Sequence, residues 1–185
     1  EMGGKNPSIV SRHADLDRAA IGIVRSAFGL QGQKCSANSR IYIERPVYDK
    51  LVKKLVDLTR NLAVGDPTDR KVYLGPVVNQ SSYKQFKQFT EELSEAGKFL
   101  TGGHVLTQGD LGKGFFCEPT LVAGVPPEHR LWKNEMFLPI SMVHPVRNLD
   151  EAMKVSNDIH YGLTAGFYGS EEEADVPEIP PPTSD

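Results

Sequence analysis

Short apolar runs take turns with longer amphipathic stretches along this 185-residue chain, and that alternation decides its fold class. Residues 15–28 set Leu16, Ala19, Ala20, Ile23, Val24, Ala27 and Phe28 at spacings of three and four, the signature of a helix burying one face. Asp15 suits its N-cap and Gly29 its stop. Residues 8–11 before it and 39–45 after it read as strands. Pro46 then opens a second helix with Val47, Leu51, Leu55, Leu58 and Leu62 on one face. A third helix is expected over 80–96, stopped by Gly97, followed by a short strand and turn from Lys98. Residues 115–125 read as a strand interrupted by Pro119, and 126–132 as one helical turn. A strand over 139–146, a helix over 149–158 and a last strand over 163–169 complete the order. Strands alternating with helices predict crossover units. The expected fold is α/β, a mostly parallel sheet with helices on both faces.

Composition removes several function classes. No apolar run approaches the length of a membrane span, and no secretory leader is visible, so no membrane partner is expected. The net charge of −3 excludes a broadly basic nucleic-acid binder. Two cysteines cannot build a disulfide scaffold and fit a reducing, cytoplasmic compartment. The five histidines are scattered without metal-ligand spacing, so no metal site is expected. Charge is unevenly placed: residues 170–185 hold six acids, four prolines and no base, leaving 21 bases against 18 acids on residues 1–169. Such a segment cannot offset its ordering entropy and reads as an acidic, proline-rich tail. The chain opens on Glu1 inside a motif, as expected of a portion of a longer protein.

Three short segments carry possible chemistry. The loop from Gly29 to Ser36 places Cys35 between a helix and a strand, with two glycines freeing the backbone and Lys34 favouring a thiolate. A lone cysteine is also ordinary filler, the reading that best suits Cys117 in its apolar run. Residues 1–7, EMGGKNP, read equally as a polar turn before a strand. Residues 134–139, NEMFLP, read equally as a helix end with a solvated acid and a packed aromatic.

Taken together, these segments resemble the catalytic domain of the NAD(P)-dependent aldehyde dehydrogenase superfamily, from Glu1 to about Gly169. EMGGK resembles the family's E-L-G-G-K, GQKC its G-Q-x-C and NEMFLP its E-E-I-F-G-P, while LGPVVN (74–79) and YGLTAGFY (161–168) are similar to family sequence. The resemblance implies a catalytic domain over 1–169, partial, with the dinucleotide-binding domain outside this chain. Cys35 would be the nucleophile, forming a thiohemiacetal and then a thioester that Glu1 helps water to hydrolyse. The Cys35 N–H would hold the oxyanion together with an asparagine the family places before this portion. Glu135 would bind the nicotinamide ribose of NAD or NADP, and Phe137 would pack beside it. Leu138 stands where the family has glycine, which is expected to crowd that ribose.

QGQKCSANSR further resembles the pyrroline-5-carboxylate (glutamate-semialdehyde) dehydrogenases, which implies Ser36 as a contact for a substrate carboxylate. Ser36 reads equally as a small loop residue. The implied partners are a small, acidic aldehyde and, for the parent enzyme, further copies of itself. Two other readings stand beside this one: a remnant that keeps the fold without catalysis, and a cofactor-independent thiol esterase. Cys35, Glu135 and Phe137 are expected to share one cleft with Glu1, at the C-terminal ends of the strands.

Overall fold

A computed structural model describes residues 2–174; Glu1 and most of the acidic segment, residues 175–185, lie outside the described residues. Six strands form one sheet: β1 (Asn6–Val10), β2 (Asn38–Glu44), β3 (Lys98–Thr101), β4 (Thr120–Ala123), β5 (Ile140–Val146) and β6 (Gly166–Tyr168). Their spatial order is β3-β4-β5-β2-β1-β6. Every pairing is parallel except β3 with β4. The connecting helices are α1 (Leu16–Phe28), α2 (Arg45–Arg60), α3 (Gln80–Ala96) and α4 (Leu149–Asn157), with a single turn α5 (Glu171–Ala174) at the end.

The sheet is covered on both faces because its strands alternate apolar side chains between them. Ile41 and Ile43 of β2, Val143 of β5 and Val10 of β1 meet α1 and α2, including Ile23, Phe28, Leu51 and Leu55. Tyr42, Met142, Val146 and Ile9 point the other way, to Phe86 and Leu93 of α3 and Ala152 of α4. The periodicity of α1 holds residue by residue: six of the seven positions read as its apolar face are buried, and Leu16 is half-buried. The Asp15 carboxylate accepts the N–H groups of Asp17 and Arg18 at 3.0 and 3.1 Å, as an N-cap should.

Two element expectations shift. The strand read over 115–125 shrinks to β4, because Pro119 has no N–H for a ladder and Cys117 makes only an isolated bridge to Val105. The acidic segment does not begin at residue 170 as a loose tail. Glu173 on α5 accepts hydrogen bonds from Ser11 Oγ at 2.7 Å and from the Ser170 N–H at 2.9 Å.

Candidate active site

Loops that lead into β1, β2, β5 and β6 meet at one edge of the sheet. That edge is the N-terminal one, which corrects the expectation of strand C-terminal ends. The reason is topological: a loop that leaves a helix and enters a parallel strand lies where the strand starts. Cys35, between α1 and β2, is such a residue, and so are Glu135 and Phe137 before β5. The three do share an edge. Glu1 lies outside the described residues.

The cysteine loop is bent by unusual backbone. Leu30 and Gln31 hold left-handed φ values of 53° and 58°, and Gly32 follows at 66°. Each non-glycine residue there costs about 1–2 kcal/mol. Gly32 is required by contact as well as angle, since a Cβ would lie 2.4 Å from the Leu138 carbonyl oxygen. Gln33 pins the loop from outside by accepting the Val78 N–H at 2.9 Å. The Lys34 carbonyl then accepts the Ala37 N–H at 3.0 Å, closing a turn with Cys35 and Ser36 exposed at its centre. Among the described residues, none accepts the Cys35 N–H. The Lys34 ammonium runs back beside Gly29. Cys117 contrasts with this setting: it is buried, and burial pushes its thiol up to about 12.

The facing wall is built from bare backbone. Glu135 Oε1 accepts the Gly4 N–H at 3.0 Å, and a Cβ on Gly3 would come within 2.8 Å of Glu135 Oε2. A Cβ on Gly4 would meet the Cys35 carbonyl oxygen at 1.9 Å. The two glycines therefore let the Glu135 carboxylate, the cysteine loop and β1 approach within contact distance. Phe137 sits at φ 54° between buried Met136 and Leu138, so its ring is turned outward and is 44% exposed. A left-handed phenylalanine is a strained outlier of about 1–3 kcal/mol, the kind that clusters at functional sites. Gly4, Lys34, Asn38, Glu135 and Phe137 together line a shallow cleft.

Three buried polar residues at this edge escaped the sequence reading. Asn6 donates from its carboxamide to the Cys35 and Ala37 carbonyls at 2.7 and 2.9 Å. Arg40 donates to the Lys5 and Ser156 carbonyls at 2.7 and 3.1 Å, tying β2 to α4. Lys5 is 1% exposed, and among the described residues its ammonium has no hydrogen-bond partner. Burial, reinforced by the Arg40 charge and opposed by Glu135, lowers its amine to about 7. Lys5 stands next to a motif glycine, Asn6 at the start of β1 and Arg40 third in β2. Polar residues in an otherwise apolar strand run were the available signal.

The sequence pattern described as the aldehyde dehydrogenase family matches residues 1–175. The chain belongs to the aldehyde dehydrogenase family. Its curated relatives include 1-pyrroline-5-carboxylate dehydrogenase 2 of Halalkalibacterium halodurans, 45% identical over 164 residues, covering 89% of this chain and 31% of the relative. The 1-pyrroline-5-carboxylate dehydrogenase of Bacillus subtilis is 44% identical over 167 residues, covering 90% and 32%. Among solved structures, the Thermus 1-pyrroline-5-carboxylate dehydrogenase with bound NAD superposes with a TM-score of 0.86 at 38% identity, over 92% of this chain and 32% of that one. Betaine aldehyde dehydrogenase of Staphylococcus aureus in complex with NAD+ gives 0.90 at 28% identity, over 94% and 34%. The chain thus spans about a third of the length of the relatives it matches.

In this aldehyde dehydrogenase chain the expected crowding by Leu138 does not occur. Its side chain is buried in the core with Met136, Trp132 and Ile140, and only its carbonyl approaches the cysteine loop. The outward Phe137 ring and the Glu135 carboxylate, held by the Gly4 N–H, suit a ribose diol and its flat face. Among the described residues no group of three His, Cys, Asp or Glu side chains gathers as metal ligands do. No described helix is long and apolar enough to cross a membrane.

Proposed function

We propose that this chain is the nucleophile-bearing portion of an NAD(P)-dependent aldehyde dehydrogenase that oxidises a small acidic semialdehyde, of the glutamate-semialdehyde type, to its carboxylate. One observation carries the reading: the exposed Cys35 on its turn, backed by Gly4, whose N–H holds Glu135, with the outward Phe137 at the same edge. The Cys35 sulfur adds to the aldehyde carbon, and the Cys35 N–H holds the resulting oxyanion. Glu135 and Phe137 orient the nicotinamide ribose, and the bound cofactor supplies the hydride acceptor. The acyl group left on Cys35 is released by water, with Glu1 taking the proton. Ser36, beside the nucleophile, holds the substrate carboxylate. The names of the 1-pyrroline-5-carboxylate dehydrogenase relatives support the substrate class.

Hydride transfer needs both reactants held at about 3–3.5 Å, and Glu135 and Phe137 grip one ribose only. Residues 1–185 alone are therefore expected to form no NADH from aldehyde and NAD, while Cys35 still accepts an acyl group from p-nitrophenyl acetate. Mass spectrometry on the chain and on Cys35→Ser reads this directly. Acylation of Cys117 with Cys35 untouched would overturn the assignment. In the full-length protein, Ser36→Ala should raise KM for the acidic aldehyde about 10- to 100-fold more than for an uncharged one. Equal effects would remove the acidic substrate.

A further inference from the structure

We infer that Asn6 is the positioning residue that aims the Cys35 N–H, and the inference rests on Cys35 being the nucleophile. Asn6 is 3% exposed at the first position of β1, and both the nitrogen and the oxygen of its carboxamide are bonded. The Nδ2 group donates to the Cys35 carbonyl at 2.7 Å and to the Ala37 carbonyl at 2.9 Å, while Oδ1 accepts the Thr164 N–H at 3.1 Å. One side chain therefore joins β1, the nucleophile turn and the loop entering β6.

The consequence for Cys35 follows from planar peptides. Two peptide planes flank this residue, and its two soft dihedrals are set once both planes are anchored. The plane after Cys35 carries the Cys35 carbonyl, which Asn6 holds. The plane before it carries the Lys34 carbonyl, which accepts the Ala37 N–H at 3.0 Å. No peptide bond described is cis, so the Cys35 N–H points opposite to that Lys34 carbonyl, out of the turn. Asn6 also grips Ala37 itself, through its carbonyl, and so steadies the group that anchors the first plane. Gly4 closes the back of the turn, leaving the Cys35 carbonyl no second position on that side. The direction of the oxyanion donor is thus fixed through Asn6, which touches neither substrate nor cofactor.

Two reactions of the same sulfur separate this role from a general structural one. In acylation by p-nitrophenyl acetate, the Cys35 sulfur bonds to the acyl carbon and p-nitrophenolate leaves with its electron pair, through an oxyanion that needs the N–H. In alkylation by iodoacetamide, the sulfur displaces iodide and no oxyanion forms. Asn6→Asp keeps the shape and the acceptor for Thr164 but turns oxygen toward two carbonyls; Asn6→Ala removes the bonds without adding charge. Both should slow Cys35 acylation about 10- to 100-fold while changing its alkylation by less than about threefold. Cys117 should stay unalkylated, which reports an intact core. Equal slowing of both reactions, or slowing of neither, would overturn the role of Asn6. Failure of the unaltered chain to acylate at Cys35 would instead bring down the nucleophile reading and Asn6 with it. A measurement needing no substitution guards against misfolded variants: the Asn6 side-chain amide protons should exchange with solvent at least about tenfold more slowly than those of exposed Asn134. Equal exchange rates would sink the inference.

Discussion

The two ends of the same parallel sheet are built from different materials. At the C-terminal end, charges close the surface. The Arg12 guanidinium and N–H both reach Glu44 at 2.7 Å, and Ser11, His13 and the Ser170 N–H converge on Glu173. At the N-terminal end Glu135 and Arg40 bond backbone rather than one another, Glu135 taking the Gly4 N–H and Arg40 the Lys5 and Ser156 carbonyls, among carboxamides, bare glycines, left-handed residues and one exposed thiol. Ligand crevices of open parallel sheets commonly lie at strand C-terminal ends. Here that end carries ion pairs, and the exposed Cys35 stands where backbone can be approached closely.

Substituting one glycine at each end gives the sharpest contrast. Gly4→Ala drives a Cβ to 1.9 Å from the Cys35 carbonyl oxygen, a backbone atom that cannot step aside. It should cost about 2–4 kcal/mol of stability and slow Cys35 acylation roughly a hundredfold. Gly169→Ala meets the far end of the Phe167 ring and the Glu173 carboxylate, flexible groups that can move. It should cost less than about 1 kcal/mol and leave acylation unchanged. Thermal melts with mass spectrometry decide it; similar costs at both glycines would erase the contrast.

Lys5 gives the N-terminal end its own pH dependence. Its folded value near 7 lies below the ordinary 10.5, so between those values the unfolded chain holds more protons than the folded one. Stability should therefore rise with pH across that window, by up to about 1.4 kcal/mol per unit. The cost of burying the charge is fully present below 7. Lys5→Met should lose this slope while being the more stable form at pH 6. Parallel urea curves from pH 6 to 10 for both proteins would show the buried amine to be irrelevant.

The C-terminal end should respond to acid instead, and less strongly. Burial raises the Glu173 carboxyl, but hydrogen bonds from Ser11, the Ser170 N–H and His13 outweigh it and bring the group to about 2. Its contribution is complete above the ordinary value of 4.5 and is lost as pH falls from there toward 2. Glu173→Gln should lower Tm by about 2–4 °C at pH 7, with the difference vanishing near pH 2. Cys35 acylation should not change. A Tm gap that persists in acid would mean that α5 is held by something other than this carboxylate.

What could be read from the sequence divides by physical range. The faces of α1 and α2 were legible because burial repeats every three to four residues, a local property. Cys35 was separable from Cys117 for a similar reason, since one sits among glycines and polar residues and the other in an apolar run. The sheet end was misjudged although the order of elements contains it: a residue between a helix and the next parallel strand can only lie at that strand's start. Leu138 was misjudged because a single left-handed residue, Phe137, exchanges which neighbour faces the core. Asn6, Lys5 and Arg40 stayed hidden because the backbone groups they bond are 29 to 158 residues away or, for the Lys5 ammonium, absent among the described residues. Composition and periodicity say nothing about such pairs.

The position of β1 in the strand order also sets a timetable. It lies between β2 and β6, and its pairing with β6 joins Ser8 to Gly166 and Val10 to Tyr168. During synthesis at about 5–20 residues per second, one edge of β1 has no partner for on the order of 10–30 s after the strand leaves the ribosome. For that interval the nascent chain presents an apolar parallel edge of the kind that recruits foreign strands. Shortage of chaperones during translation should therefore harm the yield of this protein more than the same shortage imposed once residue 168 has been made.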